Sequence, residues 1–325
     1  MLDKAIEKAK NENWGCIPSP KDERDFSLAK IMRPVAVPAS VRYDNLFKIR
    51  DQGRCGSCVG QAVASANSAG HQTELSSLYI YARCKREDGI PNTEGTQIRI
   101  ANGIALHEGS PPEELLPYSL LKDCLVFPAI TDAMKDAATP YKIKAYARIY
   151  TLDELKQALT AGKIVVAGLL VTDAFNKWDG KGVIGTPGGY IRGAHAVVFC
   201  GYDDSKQAIR GVNSWGRAWG DKGFFWLDYA NVDWKCDIGI ESIFEMWAYE
   251  FDQVLDPKEG LKIELWIGDK IALVNGQAIE LDVPPEIKDS RTLVPLRFVA
   301  ENMGYSVQWF PKEKKIEIEG STTHD

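Results

Sequence analysis

Hydrophobic and polar positions divide the chain into four stretches of different period. Up to about Pro38, charges interrupt every apolar run, and the turn-rich Cys16-Ile17-Pro18-Ser19-Pro20 suggests an arm without a core of its own. From Val41 to about Asp123 the spacing is helical. Residues 58–69, rich in Ala, Ser and Gly, read as a helix buried against close neighbours, and residues 97–107 as a second helix. Between Tyr141 and Tyr249 the pattern changes. A helix over 152–160, introduced by Thr151 as N-cap, leads into β-branched and aromatic runs at 164–170, 195–202, 209–213 and 223–229, which predict an antiparallel sheet closing on itself. An acidic, Pro-containing stretch over 251–260 reads as a linker. Beyond it, the run 270–281 carries a hairpin signal at Asn275-Gly276, followed by a helix over 295–303 and two short strands. The expected class is α+β: an arm (1–38), a two-lobed domain (39–250), a small α+β module (261–320) and a short tail (321–325).

Composition narrows the class of partner more than the fold. A chain of 325 residues, 45% hydrophobic and 26% charged, is an ordinary globular protein of two to three domains. Its net charge of -6 argues against nucleic acid, which needs a concentrated basic surface. The N-terminus has no secretory h-region, and the longest apolar run, Ile164 to Val171, is too short to span a bilayer. Seven cysteines at scattered spacing leave at least one thiol without an intramolecular partner.

Chemistry concentrates at Asp51-Gln52-Gly53-Arg54-Cys55-Gly56-Ser57-Cys58, where a glycine-rich turn puts Cys58 at the first turn of a helix. The unpaired N–H groups there favour a thiolate, the nucleophilic form. Zinc would need a second pair of ligands, which Cys84 and Cys124 do not supply, and a redox CxxC would leave the following residues unexplained. A nucleophilic cysteine needs a base. Of four histidines, His71, His107 and His324 read as surface or incidental, whereas His195 opens an apolar strand and is followed by Asn213-Ser214-Trp215-Gly216. Asn213 can fix the imidazole tautomer and Trp215 can shield that bond from water.

The ordered run Gln-x-x-Cys-Gly-Ser-Cys, Gly-Ala-His-Ala and Asn-Ser-Trp-Gly resembles the papain family of cysteine peptidases over roughly Val37 to Tyr249. The resemblance implies Cys58 as nucleophile, His195 as acid and base, Asn213 as orienting residue, Trp215 as its cover and Gln52 as oxyanion donor. It also implies substrate contacts at Gly95, in the glycine loop Asn92-Thr93-Glu94-Gly95-Thr96, and at Ala194. Departures are Val59 where the family has tryptophan, and no cysteine near 92–95 to pair with Cys55, which leaves Cys84 as a substitute or Cys55 free. Residues 15–26 look like the leader of bacterial members. The arm is therefore expected to be a self-removed inhibitory segment, with Cys16 as a candidate inhibitory thiol able to latch Cys58 in a disulfide. Residues 291–309 resemble the small domain named after the N-terminal region of copper amine oxidases, and imply a binding or spacing module for a cell-surface or polymer ligand.

The expected activity is peptide-bond hydrolysis through a thioester acyl-enzyme, with peptide or protein as substrate and neither metal nor organic cofactor. Rival readings on the same residues are a ligase or amidase, a catalytically silent surface-binding protein, and a thiol oxidoreductase in which Cys55 and Cys58 interconvert.

Overall fold

The structure, a computed structural model, describes residues 15–23, 25–30, 35–188, 190–235, 241–252, 255, 263–274, 277–302 and 305–320. Cys236, His324 and the Asn275-Gly276 turn lie outside them. The chain divides into two compact units, Met1–Pro257 and Lys258–Asp325.

In the first unit, α1 (Cys58–His71), α2 (Ser77–Glu87) and α3 (Ile98–His107) form a helical half. Helix α1 is buried on nearly every side, so small residues are needed all round it. Gly60 shows this against the neighbouring helix: a Cβ there would stand 2.8 Å from the Tyr81 Cβ of α2. The Ser76 side chain caps α2 by accepting the Tyr79 N–H at 3.1 Å. The shorter α4 (Asp132–Ala138) precedes the second half.

That half is a seven-stranded sheet of β1 (Ser40–Arg42), β2 (Ala145–Ile149), β3 (Ile164–Thr172), β4 (Ile191–Asp203), β5 (Ala208–Val212), β6 (Phe224–Asp228) and β7 (Ile243–Glu250). Its order is β2-β7-β3-β4-β5-β6, with β1 on β4, and every pairing is antiparallel. β3 lies between β7 and β4 and is buried at all positions, which is why its sequence is a continuous apolar run rather than an alternating one. Helix α5 (Leu152–Thr160) starts where expected: Thr151 Oγ1 accepts the Glu154 N–H at 3.1 Å. The single turn α6 (Asp173–Asn176) follows β3.

The stretch read as a linker is partly core. Phe251 and Leu255 are buried in the first unit, and a Cβ on Gly70 would collide with the Phe251 ring. In the second unit β8 (Ile263–Glu264), β9 (Ile271–Val274) and β10 (Gln277–Glu280) form one sheet. The hairpins β11–β12 (Glu286–Lys288, Arg291–Leu293) and β13–β14 (Tyr305–Phe310, Lys315–Gly320) flank α7 (Leu296–Asn302). No described helix is long and apolar enough to cross a membrane.

Candidate active site

Two elements from opposite halves meet at the site. The Gly53–Ser57 turn delivers Cys58 to the N-terminus of α1, and β4 carries His195 to it: the peptide N–H of Ala196 donates to Cys58 Sγ at 3.4 Å. His195 Nε2 lies 2.7 Å from Asn213 Oδ1, which also accepts the Ser214 N–H at 2.8 Å. That second bond identifies Oδ1 as the acceptor face of the amide, so Nε2 carries the ring proton and Nδ1 keeps the basic lone pair. Trp215 stacks on the imidazole with ring centroids 4.8 Å apart. Gln52 is joined to the same segment, with its N–H on the Ser214 carbonyl at 2.8 Å and its Oε1 accepting Ser214 Oγ at 2.7 Å. Its Nε2 donates to the Cys55 carbonyl at 2.9 Å, which leaves the amide's second N–H for another acceptor. Ala194, beside His195 on β4, is buried opposite Leu170.

The N-terminal arm lies across this site. Gly15 to Ile17 pair with Thr96: the Thr96 N–H donates to the Gly15 carbonyl at 3.0 Å, and the Ile17 N–H to the Thr96 carbonyl at 2.9 Å. Cys16 forms a parallel bridge with Thr96. Neither Cys58 nor His195 retains any exposed surface. The electrostatics therefore oppose the expectation of a helix-activated thiolate. Burial pushes the Cys58 thiol up to about 12, even though the N–H groups of Ala196, Gly15, Val59 and Cys58 itself pull the other way. Burial likewise pushes the His195 imidazole down to about 4, against the opposing bond to Asn213. Beneath the arm the stable pair is thiol and neutral imidazole.

Three sequence expectations need correction. Cys55 is disulfide-bonded to Cys124, not to Cys84 and not free; the partner lies 69 residues on, in a region without a motif. Cys16, Cys58 and Cys84 are free buried thiols, so neither a Cys16–Cys58 latch nor a Cys55–Cys58 redox pair is present. The residue that pairs with the arm is Thr96 and not the neighbouring Gly95. Both backbone groups of Gly95 are used internally, the N–H by Tyr81 Oη at 3.3 Å and the carbonyl by Lys85 Nζ at 2.9 Å. Lys85 is itself buried on Asp88 at 2.6 Å, so an ion pair braces the loop from behind. Glu94 closes its front by accepting the Gly56 N–H at 2.5 Å. A buried lysine three residues before an aspartate is the trace that sequence carried of this brace. His71 is structural: its Nε2 is 3.1 Å from the Lys142 carbonyl and its ring packs on Tyr141 and Phe251. Among the described residues no cluster of three or more His, Cys, Asp or Glu is arranged to hold a metal.

Comparison with known proteins gives two family matches. Residues 37–246 match the papain family cysteine protease, and residues 246–318 match the copper amine oxidase N-terminal domain. The chain is 29% identical over 286 residues to an uncharacterized peptidase C1-like protein of Acanthamoeba polyphaga mimivirus, covering 76% of this chain and 89% of that protein. It is 27% identical over 197 residues to Peptidase 1 of Dermatophagoides pteronyssinus, spanning 57% of this chain and 58% of that one. Among solved structures, xylellain, a cysteine protease from Xylella fastidiosa, matches with a TM-score of 0.63 at 27% identity over 74% of this chain and 97% of that one. Procathepsin B S9 of Trypanosoma congolense shares the fold, with a TM-score of 0.57 at 16% identity over 77% and 89% of the two chains.

Proposed function

We propose that this chain, which belongs to the papain family of cysteine proteases and is a peptide-bond hydrolase, is an endopeptidase made as a zymogen whose own N-terminal arm blocks the cleft. Cys58 attacks the scissile carbonyl and His195 Nδ1 takes the thiol proton, then returns it to the leaving amine. Water next attacks the thioester with His195 as base, releasing the acid and the thiol. Asn213 holds the imidazole in the tautomer that makes Nδ1 the base. Gln52 and the Cys58 N–H bind the oxyanion, where loss of one donor costs about 100- to 1000-fold in rate. Substrate adds an extended strand to Thr96, whose N–H and carbonyl are the groups the arm now occupies, and Ala194 lines the cleft beside the base. Cys16 acts as the arm's plug at the cleft. The C-terminal unit is a binding or spacing module.

The observation that supports this reading best is the pairing of Gly15–Ile17 with Thr96 directly over Cys58. The test follows mass and peptide cleavage of the purified chain over time, with Cys58→Ala and His195→Ala as controls. Both variants should stay folded, keep the arm and lose cleavage, His195→Ala nearly as completely as Cys58→Ala because the two act as a unit. Cleavage by the Cys58→Ala chain would refute the assignment. A parent chain that is fully active with its N-terminus intact would refute the zymogen.

A further inference from the structure

We infer that Arg99 forms a subsite selecting acidic side chains in the substrate, a subsite that the arm fills with its own carboxylates until it is released; this rests on the endopeptidase reading above. Arg99 is the second residue of α3, three positions beyond Thr96. Its guanidinium grips both carboxylate oxygens of Asp25, Nη2 to Oδ2 at 2.8 Å, and has Asp22 at 3.8 Å. Nη2 also donates to the Pro20 carbonyl at 2.6 Å, and the Arg99 N–H to Ser19 Oγ at 3.3 Å. The guanidinium sits over the buried Trp247 ring, 5.4 Å from its centroid. Among the described residues, every carboxylate paired with Arg99 belongs to the arm.

Release of the arm therefore changes this site more than its surroundings. The other cations outside the arm that line the same cavity of about 610 Å³ keep their partners: Arg148 holds Glu245 at 3.0 Å, and Lys235 holds Glu241 at 2.8 Å, while Lys21 leaves with the arm. Asp233 also lines this cavity, but no ion pair joins it to Arg99. What remains is a planar fork of donors beside the Trp247 indole, which Arg148 shares at 4.8 Å, and without its anion. That is a preformed receptor for a carboxylate, because guanidinium and carboxylate match bidentately and stacking limits the entropy lost on binding. The receptor is continuous with the cleft. The arm runs from Gly15 at the Cys58 sulfur, through Ile17 on Thr96, to Ser19, whose N–H meets Glu245 Oε1 at 3.3 Å and whose hydroxyl meets Arg99. A substrate strand on the same track brings a side chain to Arg99 about four residues from the bond being cut.

The test uses enzyme whose arm has been released, checked by mass, and pairs of peptides differing only by Asp or Asn at one position scanned along the sequence. At the position that reaches Arg99, Asp should exceed Asn in kcat/KM by at least about tenfold, as expected for a charge-assisted bond. Arg99→Gln should bring that ratio to about one. Arg99→Lys, which keeps the charge but not the fork, should retain part of it and serves if the glutamine variant does not fold. A parent enzyme that cleaves the Asn peptides with no preference for Asp at any position overturns this inference and leaves the endopeptidase standing. An enzyme that cleaves no peptide removes both.

Discussion

Replacing Gly15 by alanine should switch the intact chain on without cutting it. An ideal Cβ on Gly15 falls 1.8 Å from the Gly56 carbonyl oxygen and 2.2 Å from its carbon, both backbone atoms of the turn that carries Cys58. Neither can rotate aside, so the arm must retreat. Doing so breaks the two hydrogen bonds to Thr96, which hold it with only about 1 kcal/mol each. The repulsion wins. With the cleft open, the Cys58 thiol returns from about 12 toward its ordinary 9.0, and three decades of pKa mean about a thousandfold more thiolate at neutral pH. The assay is the rate of alkylation by a neutral haloacetamide at pH 7, mapped to Cys58 by peptide mass because Cys16 is uncovered as well. The Gly15→Ala chain should alkylate at Cys58 about a thousandfold faster than the parent and cleave small peptides before any processing. If it alkylates as slowly as the parent, the arm is not what buries the nucleophile.

The two perturbed groups also set the pH response. The His195 value is depressed from 6.5 to about 4, so its contribution to the closed form is present above pH 6.5 and is lost as pH falls toward 4, by roughly 3 kcal/mol. The raised Cys58 value acts oppositely, its contribution being lost only as pH rises above 9.0 toward about 12. The hydrogen-exchange protection factor of residues 15–20 in a Cys58→Ala chain, taken against the intrinsic rate at each pH, should therefore fall between pH 6.5 and 4; a flat protection factor over that range refutes the link. Cys124→Ser opens a loop of 69 residues and should cost about 4 kcal/mol, seen as a drop in Tm of around ten degrees, and an unchanged Tm would show that the bridge carries no stability. Truncation after Pro257 keeps Phe251 and Leu255 in their core and should leave a folded, active peptidase. Unfolding of that product would mean that the peptidase core depends on the C-terminal unit.

One occlusion hides the nucleophile and also removes its charge. A thiolate and an imidazolium are both stabilised by water, so a peptide laid over them without a compensating charge drives both toward neutrality. The arm supplies one N–H, that of Gly15, to the sulfur, and burial outweighs the hydrogen bonds at both groups. Its attachment includes the pairing on Thr96 and the grip on Arg99, beside the bonds of Ser19 to Glu245 and of Phe26 to the Arg148 N–H. An arm lifted only from Thr96 stays tethered at Arg99 at high effective concentration and can fall back. Lasting activation of the parent chain then needs the arm to be cut or its Arg99 grip lost, whereas the Gly15→Ala arm cannot reseat against the Gly56 carbonyl.

The candidate catalytic residues were legible because the proposed chemistry demands fixed types in fixed order, and the turn before α1, the strand carrying His195 and Asn213-Ser214-Trp215 each left a local signature. What the sequence hid is what depends on tertiary pairing. Helix α2 contains Leu78-Tyr79-Ile80-Tyr81, residues of strand propensity, and is helical because both of its apolar faces are buried and Ser76 caps it. Strands β2 and β7 carry charges at Arg148 and Glu245 that mask their period; the two form a buried ion pair across the sheet, so each looks polar until its partner is in place. The resemblance points to Gly95 in the glycine loop, and lack of a side chain is the usual reason for a backbone to approach a ligand. Its φ of 86° gives another reason, since that left-handed conformation turns the loop and leaves Thr96 facing the cleft. The thiol's raised pKa was the least legible feature of all: the helix N-terminus that favours a thiolate is encoded within a few residues, whereas the burial that overrides it exists only once the fold brings β4 at Ala196 and the arm at Gly15 against the sulfur.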